Sequence, residues 1–312
     1  MVSLSEGLNS YLWVAEIHQG TNQSSVAMVS LPRPDAGSGN SEQAAMLIHK
    51  VPLWSQQEPI LDAAVVNGNP AQLLVLDPDR VAIYNSQGSR WQPQQSFSIM
   101  HTGPWPRDVR GRLILRRDHL FDAYLPGVFC QSTDGKQLNM SCQQSDDPWP
   151  VASEQYPLTA FFAPARNFFT GVLATRLGKQ SVEPAFYSAA ALPRSNYTLW
   201  LLAALDGRIH MLDGINDQTA KLAWGSNVAS LHTGCGAGWQ VLASAPGTGP
   251  RDNVVAFEIA DRDPVAVTQP AEFAGRITAL WPDEQASSAL AVSQNAETGR
   301  YEAFRLTVTC GQ

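Results

Sequence analysis

LLVLDPDRVAIY, from Leu73 to Tyr84, and WLLAALDGRIHML, from Trp200 to Leu212, are two copies of one pattern. In both, apolar residues alternate on either side of an acidic turn, which is Asp-Pro-Asp in the first copy and Asp-Gly in the second. Alternation with a period of two around a tight turn is typical of a β-hairpin. The two stretches therefore predict antiparallel hairpins of the same design.

The pattern recurs in weaker copies that begin near Tyr11, Arg112, Phe168, Trp239 and Leu290. Recurrence at spacings of roughly 40 to 50 residues is typical of a β-propeller, whose blades stack around an axis because no blade can bury both faces alone. We predict an all-β fold, a single β-propeller of four-stranded antiparallel blades, with seven blades and with six or eight as alternatives. One domain over residues 1–312 is expected, because no Pro- or Ser-rich linker divides the sequence.

Composition and charge limit the partners of this protein. Only 16% of the residues are charged, and the net charge is −7. Binding to nucleic acid needs a surplus of Lys and Arg, so nucleic acid is not expected as a partner. No apolar stretch of about 18 residues predicts a membrane span. The first residues, MVSLSEGL, lack the basic and apolar regions of a signal peptide, so they fit either a cytoplasmic start or the cut edge of an expressed fragment.

The four cysteines favour an exported protein. Cys130 and Cys142 flank a loop that could close into a local bridge, which leaves Cys235 and Cys310 to pair, although four cysteines allow three pairings. No CxxC spacing predicts a structural zinc site. We predict a disulfide-bonded protein that is secreted, periplasmic or on the cell surface, and the alternative is four buried free thiols.

Two stretches resemble repeats of known propeller families. The stretch from Leu205 to Gly225 resembles one repeat of the quinoprotein-type propellers, and the matching positions are Leu212, Asp213, Lys221 and Trp224. Units such as Gly238 to Ile259 resemble the FG-GAP or VCBS repeats of exported bacterial propellers and of integrin α-subunit heads. The second resemblance implies an integrin-like propeller that could place calcium in carboxylate-rich hairpin loops.

No cofactor is predicted, and calcium is the only metal considered. A quinone-binding propeller carries the Trp-ended repeat in most blades, whereas this sequence has it once. Calcium takes about six to eight oxygen ligands, and the best local candidates are the pairs Asp77 with Asp79 and Asp213 with Asp217. An Asp at a hairpin turn ordinarily bonds its own backbone, which is the competing interpretation of both pairs.

The densest charge cluster is the first candidate ligand site, and it comprises Arg107, Asp108, Arg110, Arg112, Arg116, Arg117, Asp118, His119 and Asp122. If the cluster lines a propeller face or the central channel, its guanidinium groups could hold a carboxylate or sulfate. Strand alternation predicts that Arg116 and Asp118 point away from Arg117 and His119. The alternative is mutual salt bridging between blades.

A second candidate site is formed by Asp146, Asp147 and Trp149, because adjacent carboxylates beside an aromatic ring suit sugar binding or acid catalysis. A solvated turn before a proline explains the two carboxylates equally simply. Tryptophans in apparent loops, namely Trp54, Trp91, Trp105, Trp149 and Trp281, are further candidates for stacking on sugar rings. Packing between blades is the alternative for these tryptophans.

No catalytic residue is predicted, because the sequence has neither a GxSxG elbow nor an HExxH motif. We therefore predict a non-catalytic exported propeller that acts as a binding or scaffolding module for a protein or glycan partner. The alternative is an enzyme that acts on a polysaccharide or small molecule at the propeller axis, where Asp108, Asp118 and Asp147 would converge. A third interpretation is a structural propeller within a longer secreted polypeptide.

Overall fold

The computed structural model describes residues 2–6, 10–19, 23–32, 46–88, 90–101, 103–106, 108–133, 137–151, 157–164, 166–175, 177–214, 216–260 and 262–311, with only the backbone described before residue 46. The chain divides into two compact units, residues 1–44 and 45–312. The described residues form strands and no helix.

The strands of residues 2–98 are β1 (Val2–Glu6), β2 (Ser10–Gln19), β3 (Gln23–Pro32), β4 (Met46–Gln56), β5 (Asp62–Val66), β6 (Gln72–Leu76), β7 (Arg80–Gln87) and β8 (Arg90–Ser98). Those of residues 112–212 are β9 (Arg112–Leu115), β10 (Phe121–Leu125), β11 (Val128–Thr133), β12 (Asn139–Gln144), β13 (Leu158–Ala163), β14 (Phe168–Thr175), β15 (Gly178–Pro193), β16 (Thr198–Ala204) and β17 (Ile209–Leu212). The remaining strands are β18 (Asp217–Ala220), β19 (Val228–His232), β20 (Trp239–Pro246), β21 (Asp252–Ala260), β22 (Asp263–Ala266), β23 (Ala271–Glu272), β24 (Gly275–Pro282), β25 (Ala289–Asn295) and β26 (Tyr301–Cys310).

The first unit contains a three-stranded antiparallel sheet in the order β1-β2-β3. Its β2–β3 hairpin is the one predicted near Tyr11, and its register places Ser10 opposite Pro32. The hairpin prediction is confirmed, but this hairpin lies outside the second unit.

The second unit is a β-propeller. Its described strands form five antiparallel sheets of four to six strands, which follow one another in chain order. The blades are blade 1 (β5 to β8), blade 2 (β9 to β12), blade 3 (β13 to β18), blade 4 (β19 to β23) and blade 5 (β24 to β26 with β4). Neighbouring blades touch, since β5 contacts β9, β15 contacts β19, β19 contacts β24, and β25 of blade 5 contacts β5 of blade 1. Between blades 2 and 3, Arg110 ahead of β9 donates to the Tyr187 carbonyl of β15.

The prediction of seven blades is wrong, because the described residues form five. One predicted hairpin belongs to the first unit, and the strands predicted near Phe168 and Trp200 share blade 3. They share it because β15 is continuous: it pairs with β14 up to Phe186 and with β16 from Phe186 onward, with a register shift at that point. The all-β fold and the propeller architecture are confirmed, whereas a single domain over residues 1–312 stays a prediction.

Alternation along β6 shows why the sequence forms blades. Leu73 and Val75 belong to a buried cluster that includes Ala279 and Val292 of blade 5. Leu74 and Leu76, which point to the opposite face, pack in a cluster with Phe121 and Leu125 of blade 2. Both faces of the hairpin are therefore covered by neighbouring blades.

Two features hold the last blade in place. Strand β4 pairs with β26 along its whole length, so blade 5 is built from both ends of the second unit. Cys235 of the segment after β19 is bonded to Cys310 of β26, which links blade 4 to blade 5. The other disulfide joins Cys130 and Cys142, which lie directly opposite each other on β11 and β12. Both bridges agree with the predicted pairing.

Candidate functional site

Two cavities lie at the opposite ends of the inner strands. The first, which we name the Arg110 mouth, has a volume of about 380 Å³ and lies where inner strands begin. Its charged and polar lining includes Asp108, Arg110, Ser188, Asn227 and Arg276. The second, the Arg116 mouth, has a volume of about 970 Å³ and lies where they end. Its lining includes Arg116, Arg117, Asp118, Trp239 and Glu284.

The charge cluster predicted as a ligand site is divided between these two mouths. Strand β9 is only four residues long, so Asp108 and Arg110 precede it at one mouth and Arg116 follows it at the other. Arg107 lies outside the described residues. His119 is partly buried beside the Arg116 mouth, with its ring nitrogens 2.8 Å from Asp122 and 3.0 Å from Asp118.

The expected alternation of side chains after β9 does not occur. Arg116, Arg117 and Asp118 all line the same mouth. The reason is that β9 ends at Leu115 and the chain turns, with the Arg116 N–H donating to the carbonyl of Leu120 at 3.1 Å. Side chains of a turn do not follow the two-sided alternation of a strand.

Gly111 sets the position of the segment that separates the two mouths. A Cβ at this residue would lie 2.8 Å from Leu76 Cδ2 and 2.9 Å from Leu61 Cβ, so only glycine allows so close an approach to blade 1. This contact holds Arg110 and Arg112 on either side of it at the centre of the ring.

Arg112 joins three blades near the axis. Its Nη1 donates to Asp62 Oδ2 at 3.1 Å, and its Nη2 donates to the carbonyl of Pro282 at 2.7 Å. Asp62 is 1% exposed and also accepts the N–H groups of Leu113 and Ala63. Burial raises the pKa of Asp62 to about 6, although the charge of Arg112 and the two backbone donors act in the opposite direction. These bonds connect blades 1, 2 and 5, so Arg112 has a structural role.

At the Arg116 mouth, one charge of each sign is left available. Arg116 donates to Asp122 at 2.6 Å through Nε. Arg117 and Glu284 are exposed and make no hydrogen bond or ion pair with any described residue. Partial burial raises the pKa of Glu284, and the nearby Arg116, Arg112 and Arg117 counteract the shift. The mouth therefore presents a free guanidinium and a free carboxylate.

The three residues of the second predicted site are divided between the core and the surface. Trp149 is 5% exposed and stacks on Phe162 with ring centroids 4.8 Å apart, inside the hydrophobic core. Asp146 and Asp147 are exposed, and the Asp147 N–H donates to Ser145 Oγ at 2.9 Å. The two carboxylates thus lie in a solvated turn, and none of the three residues lines either mouth.

The acidic residues considered for catalysis or calcium are separated or engaged. Asp108 lies at the Arg110 mouth, Asp118 at the Arg116 mouth and Asp147 at neither. Asp77 accepts the N–H groups of Asp79 and Arg80 in its own turn. Asp213 pairs with Arg262, and Asp217 pairs with His210. Within the described residues, no group of three or more His, Cys, Asp and Glu side chains could hold a metal ion.

In the part of the chain that the structure describes, no helix has the length and apolarity needed to cross a bilayer.

Sequence reasoning missed four residues at or near the axis, which are Asp62, Trp239, Arg276 and Glu284. Each belongs to a different blade from the cluster around β9, which is in blade 2, so no local motif connects it to that cluster. Arg276 had the clearest signal, because it directly precedes Ile277 to Leu280, a short apolar run of the kind that forms a buried strand. A charged residue at the start of an inner strand lies at a mouth of the ring.

Comparison with known proteins adds little at the level of sequence. No family model matches this chain, and a search of curated proteins found no match. The resemblance to FG-GAP, VCBS and quinoprotein repeats therefore stays a prediction.

Among solved structures, the chain is similar to the Dos1 propeller, with 13% sequence identity and a TM-score of 0.41 over 79% of this chain and 78% of that one. It is also similar to BBS1N, solved in complex with ARL6DN, with 10% identity and a TM-score of 0.34 over 98% of this chain and 90% of that one. At these values neither structure bears on the function of this protein. The proposals below rest on its own residues.

Proposed function

We propose that this protein is a non-catalytic, exported binding module that holds a protein partner at the Arg116 mouth. The observation that carries the proposal is the free pair of opposite charges, Arg117 and Glu284, at the rim of a cavity of about 970 Å³. Partly buried apolar residues, such as Leu115 and Trp239, line the same cavity. Charges of both signs around an apolar centre suit a protein surface, which offers complementary groups of both signs.

The tryptophans favour a protein over a glycan. Stacking on a sugar ring needs an exposed aromatic face. Among the described residues no tryptophan is exposed: Trp54, Trp91 and Trp105 are partly buried, and Trp149 and Trp281 are buried. The Trp105 ring also packs against the ring of His101, with ring centroids 4.4 Å apart.

The enzyme alternative has no comparable support. The carboxylates expected to converge at the axis lie at different mouths or in an outer turn. At the Arg116 mouth itself, Arg116 is paired with Asp122 and Asp118 with His119, so these groups maintain the local structure.

Export is proposed from the disulfides. All four cysteines are bonded, and disulfides persist in oxidising compartments. Alkylation of free thiols in intact cells, followed by mass spectrometry, tests the proposal. We expect Cys235 and Cys310 to remain unmodified until a reductant is added, and modification of these cysteines without reductant would contradict export.

The binding proposal is tested with two variants at the Arg116 mouth, Arg117→Gln and Glu284→Gln. The matched control is Arg90→Gln, because Arg90 is exposed on the outer strand of blade 1 and lines neither mouth. Proteins captured from the source by the wild type are compared with those captured by each variant, and the affinity of the purified partner is then measured by calorimetry.

We expect each mouth variant to bind the partner three- to tenfold more weakly, which corresponds to about 0.7 to 1.4 kcal/mol, and Arg90→Gln to bind as the wild type does. The difference in affinity between the wild type and each mouth variant should shrink as salt is added, since exposed ion pairs are screened. Equal affinity in all four proteins would overturn the proposal. Specific binding on a glycan array that the two mouth variants abolish would replace the protein partner by a sugar.

A further inference from the structure

The Arg110 mouth combines features of a small-molecule site, and it is independent of the partner proposed at the Arg116 mouth. Its cavity of about 380 Å³ is enclosed by segments of several blades. Three bonds connect these segments in sequence around the axis. Arg110 Nη1 donates to the Tyr187 carbonyl at 2.5 Å, Ser188 Oγ donates to the Ser226 carbonyl at 2.8 Å, and Asn227 Nδ2 donates to the Ile277 carbonyl at 3.3 Å. The walls are therefore fixed before any ligand binds.

Arg110 is a part-buried cation that forms no ion pair with any described residue, although the charge of Asp108 favours its ionised form. The Arg–carboxylate pairs among the described residues involve Arg80, Arg112, Arg116, Arg251 and Arg262, and Arg110 is not one of them. Its contacts are the Tyr187 carbonyl and the Tyr187 ring, whose centroid is 5.8 Å from the guanidinium carbon. Burial lowers the pKa of Arg110 to about 10, so the group is still charged at neutral pH. Burying a charge without a partner is costly unless a ligand supplies one.

Arg276 adds a second guanidinium to the same cavity. It is exposed on β24 and makes no hydrogen bond or ion pair with any described residue. The described acidic residue in this lining is Asp108, which is also exposed. Two cations face one carboxylate, so the Arg110 mouth has a positive surplus in a protein whose net charge is −7.

The walls also hold two buried polar atoms that no described residue satisfies, namely the acceptor Asn167 Oδ1 and the donor Trp281 Nε1. Trp281 is 94% buried, and Asn167 has a left-handed backbone with φ of 54°. A buried donor or acceptor without a partner destabilises the fold, and a ligand that bonds it removes that cost. An acceptor in the same lining as two guanidinium groups suits a hydroxyl or ammonium next to a carboxylate.

We propose that the Arg110 mouth binds a small organic acid, whose carboxylate lies between Arg110 and Arg276 and whose adjacent hydroxyl or ammonium group donates to Asn167. Paired guanidinium groups are well suited to carboxylates because their N–H donors match both oxygens. The size of the cavity favours a free acid over a folded partner.

The test is calorimetry on the whole chain at low ionic strength, with malate, succinate and sulfate as probes. Malate carries the hydroxyl that succinate lacks, and sulfate has charge without a carboxylate. The variants are Arg276→Gln, Arg110→Met and Asn167→Gly, the last of which keeps the left-handed backbone while it removes the acceptor. The control for Arg110→Met is Arg194→Met, since Arg194 is a part-buried arginine that donates to one carbonyl, that of Ile259, and lines neither mouth.

We expect malate to bind the wild type more tightly than succinate and sulfate do. Arg276→Gln and Arg110→Met should each weaken the binding of malate at least tenfold, and Arg194→Met should leave the affinity for malate unchanged. Asn167→Gly should abolish the preference for malate over succinate. If Arg110→Met does not fold, the exposed Arg276 still decides the question. Wild-type malate affinity in Arg276→Gln, stronger binding of sulfate than of malate, or no binding of any probe at millimolar concentration would overturn the proposal.

Discussion

Asp62 is buried where blades 1, 2 and 5 meet, and it accepts hydrogen bonds from Arg112, Leu113 and Ala63. Its carboxylate therefore connects blade 1 to blade 2 directly and, through Arg112, to blade 5. Arg112 depends on it in turn, because this guanidinium is 7% exposed and its other acceptor among the described residues is the Pro282 carbonyl.

The exchange Asp62→Asn should destabilise the protein at pH 7. Asparagine has one acceptor oxygen, so it cannot accept from both Arg112 and Leu113 with one side and from Ala63 with the other. A buried donor that is left without an acceptor typically costs about 1 to 3 kcal/mol. Guanidinium unfolding of the variant and the wild type measures the loss. A difference below about 1 kcal/mol would show that Asp62 is dispensable.

Asp62 also predicts how stability depends on pH. Its folded-state pKa of about 6 is above the ordinary value of 3.8, so the folded protein binds this proton more tightly than the unfolded chain does. The loss of folding stability that comes from ionising Asp62 is absent below about pH 3.8 and complete above about pH 6. Between pH 7 and pH 5 the wild type should therefore gain about 1.4 kcal/mol relative to Asp62→Asn. Unfolding curves at pH 7, 6 and 5 test this, and parallel profiles of the two proteins would contradict it.

At the residue scale the sequence predicted which side chains are charged near the axis but not how they group. Asp108, Arg110, Arg116 and Arg117 were expected in one site, and the short strand β9 places them at two mouths. The residues that complete the mouths, such as Arg276 and Glu284, come from blade 5 and its following turn. Contacts between residues so distant in sequence depend on the closure of the ring, which no local pattern encodes.

At the scale of elements, hairpins were predicted well and blades were not. The turn at Asp77 closes β6–β7 as expected, because the Asp77 carboxylate bonds the backbone of its own turn. Counting blades from hairpins requires each hairpin to belong to a separate sheet. Strand β15 breaks this rule, since its two halves pair with β14 and β16 in a single sheet.

The two disulfides should contribute unequally to stability. Cys235–Cys310 closes a loop with a sequence separation of 75, and Cys130–Cys142 closes one of 12. In the chain-entropy description, closing these loops stabilises the folded protein by about 4.5 and about 2.8 kcal/mol, respectively. We therefore expect Cys235→Ala with Cys310→Ala to lower the melting temperature more than Cys130→Ala with Cys142→Ala does. Calorimetric melting of the two double variants decides the order, and a larger drop for the shorter loop would contradict it.

At the scale of the whole molecule, the propeller is complete within residues 45–312. Among the described strands, β1 to β3 pair only with one another, and β4 is the strand that closes blade 5. We expect a chain that begins at Ala45 to fold and to melt within about 4 °C of the full chain, because no propeller strand is removed. Circular dichroism and calorimetry of the two chains measure this. Failure of the shorter chain to fold would favour the single domain predicted over residues 1–312.

The closing pair β4 and β26 has a consequence for how the protein is made. A side-chain hydrogen bond joins the two strands between His49 and Thr309, which are 260 positions apart in the sequence. At about 5 to 20 residues per second, a ribosome needs roughly 10 to 50 seconds to produce the second strand after the first. During that interval the edge of β4 is an unpaired template for other chains, which is an aggregation hazard. Blade 5 can therefore close correctly only after residue 310 has been synthesised.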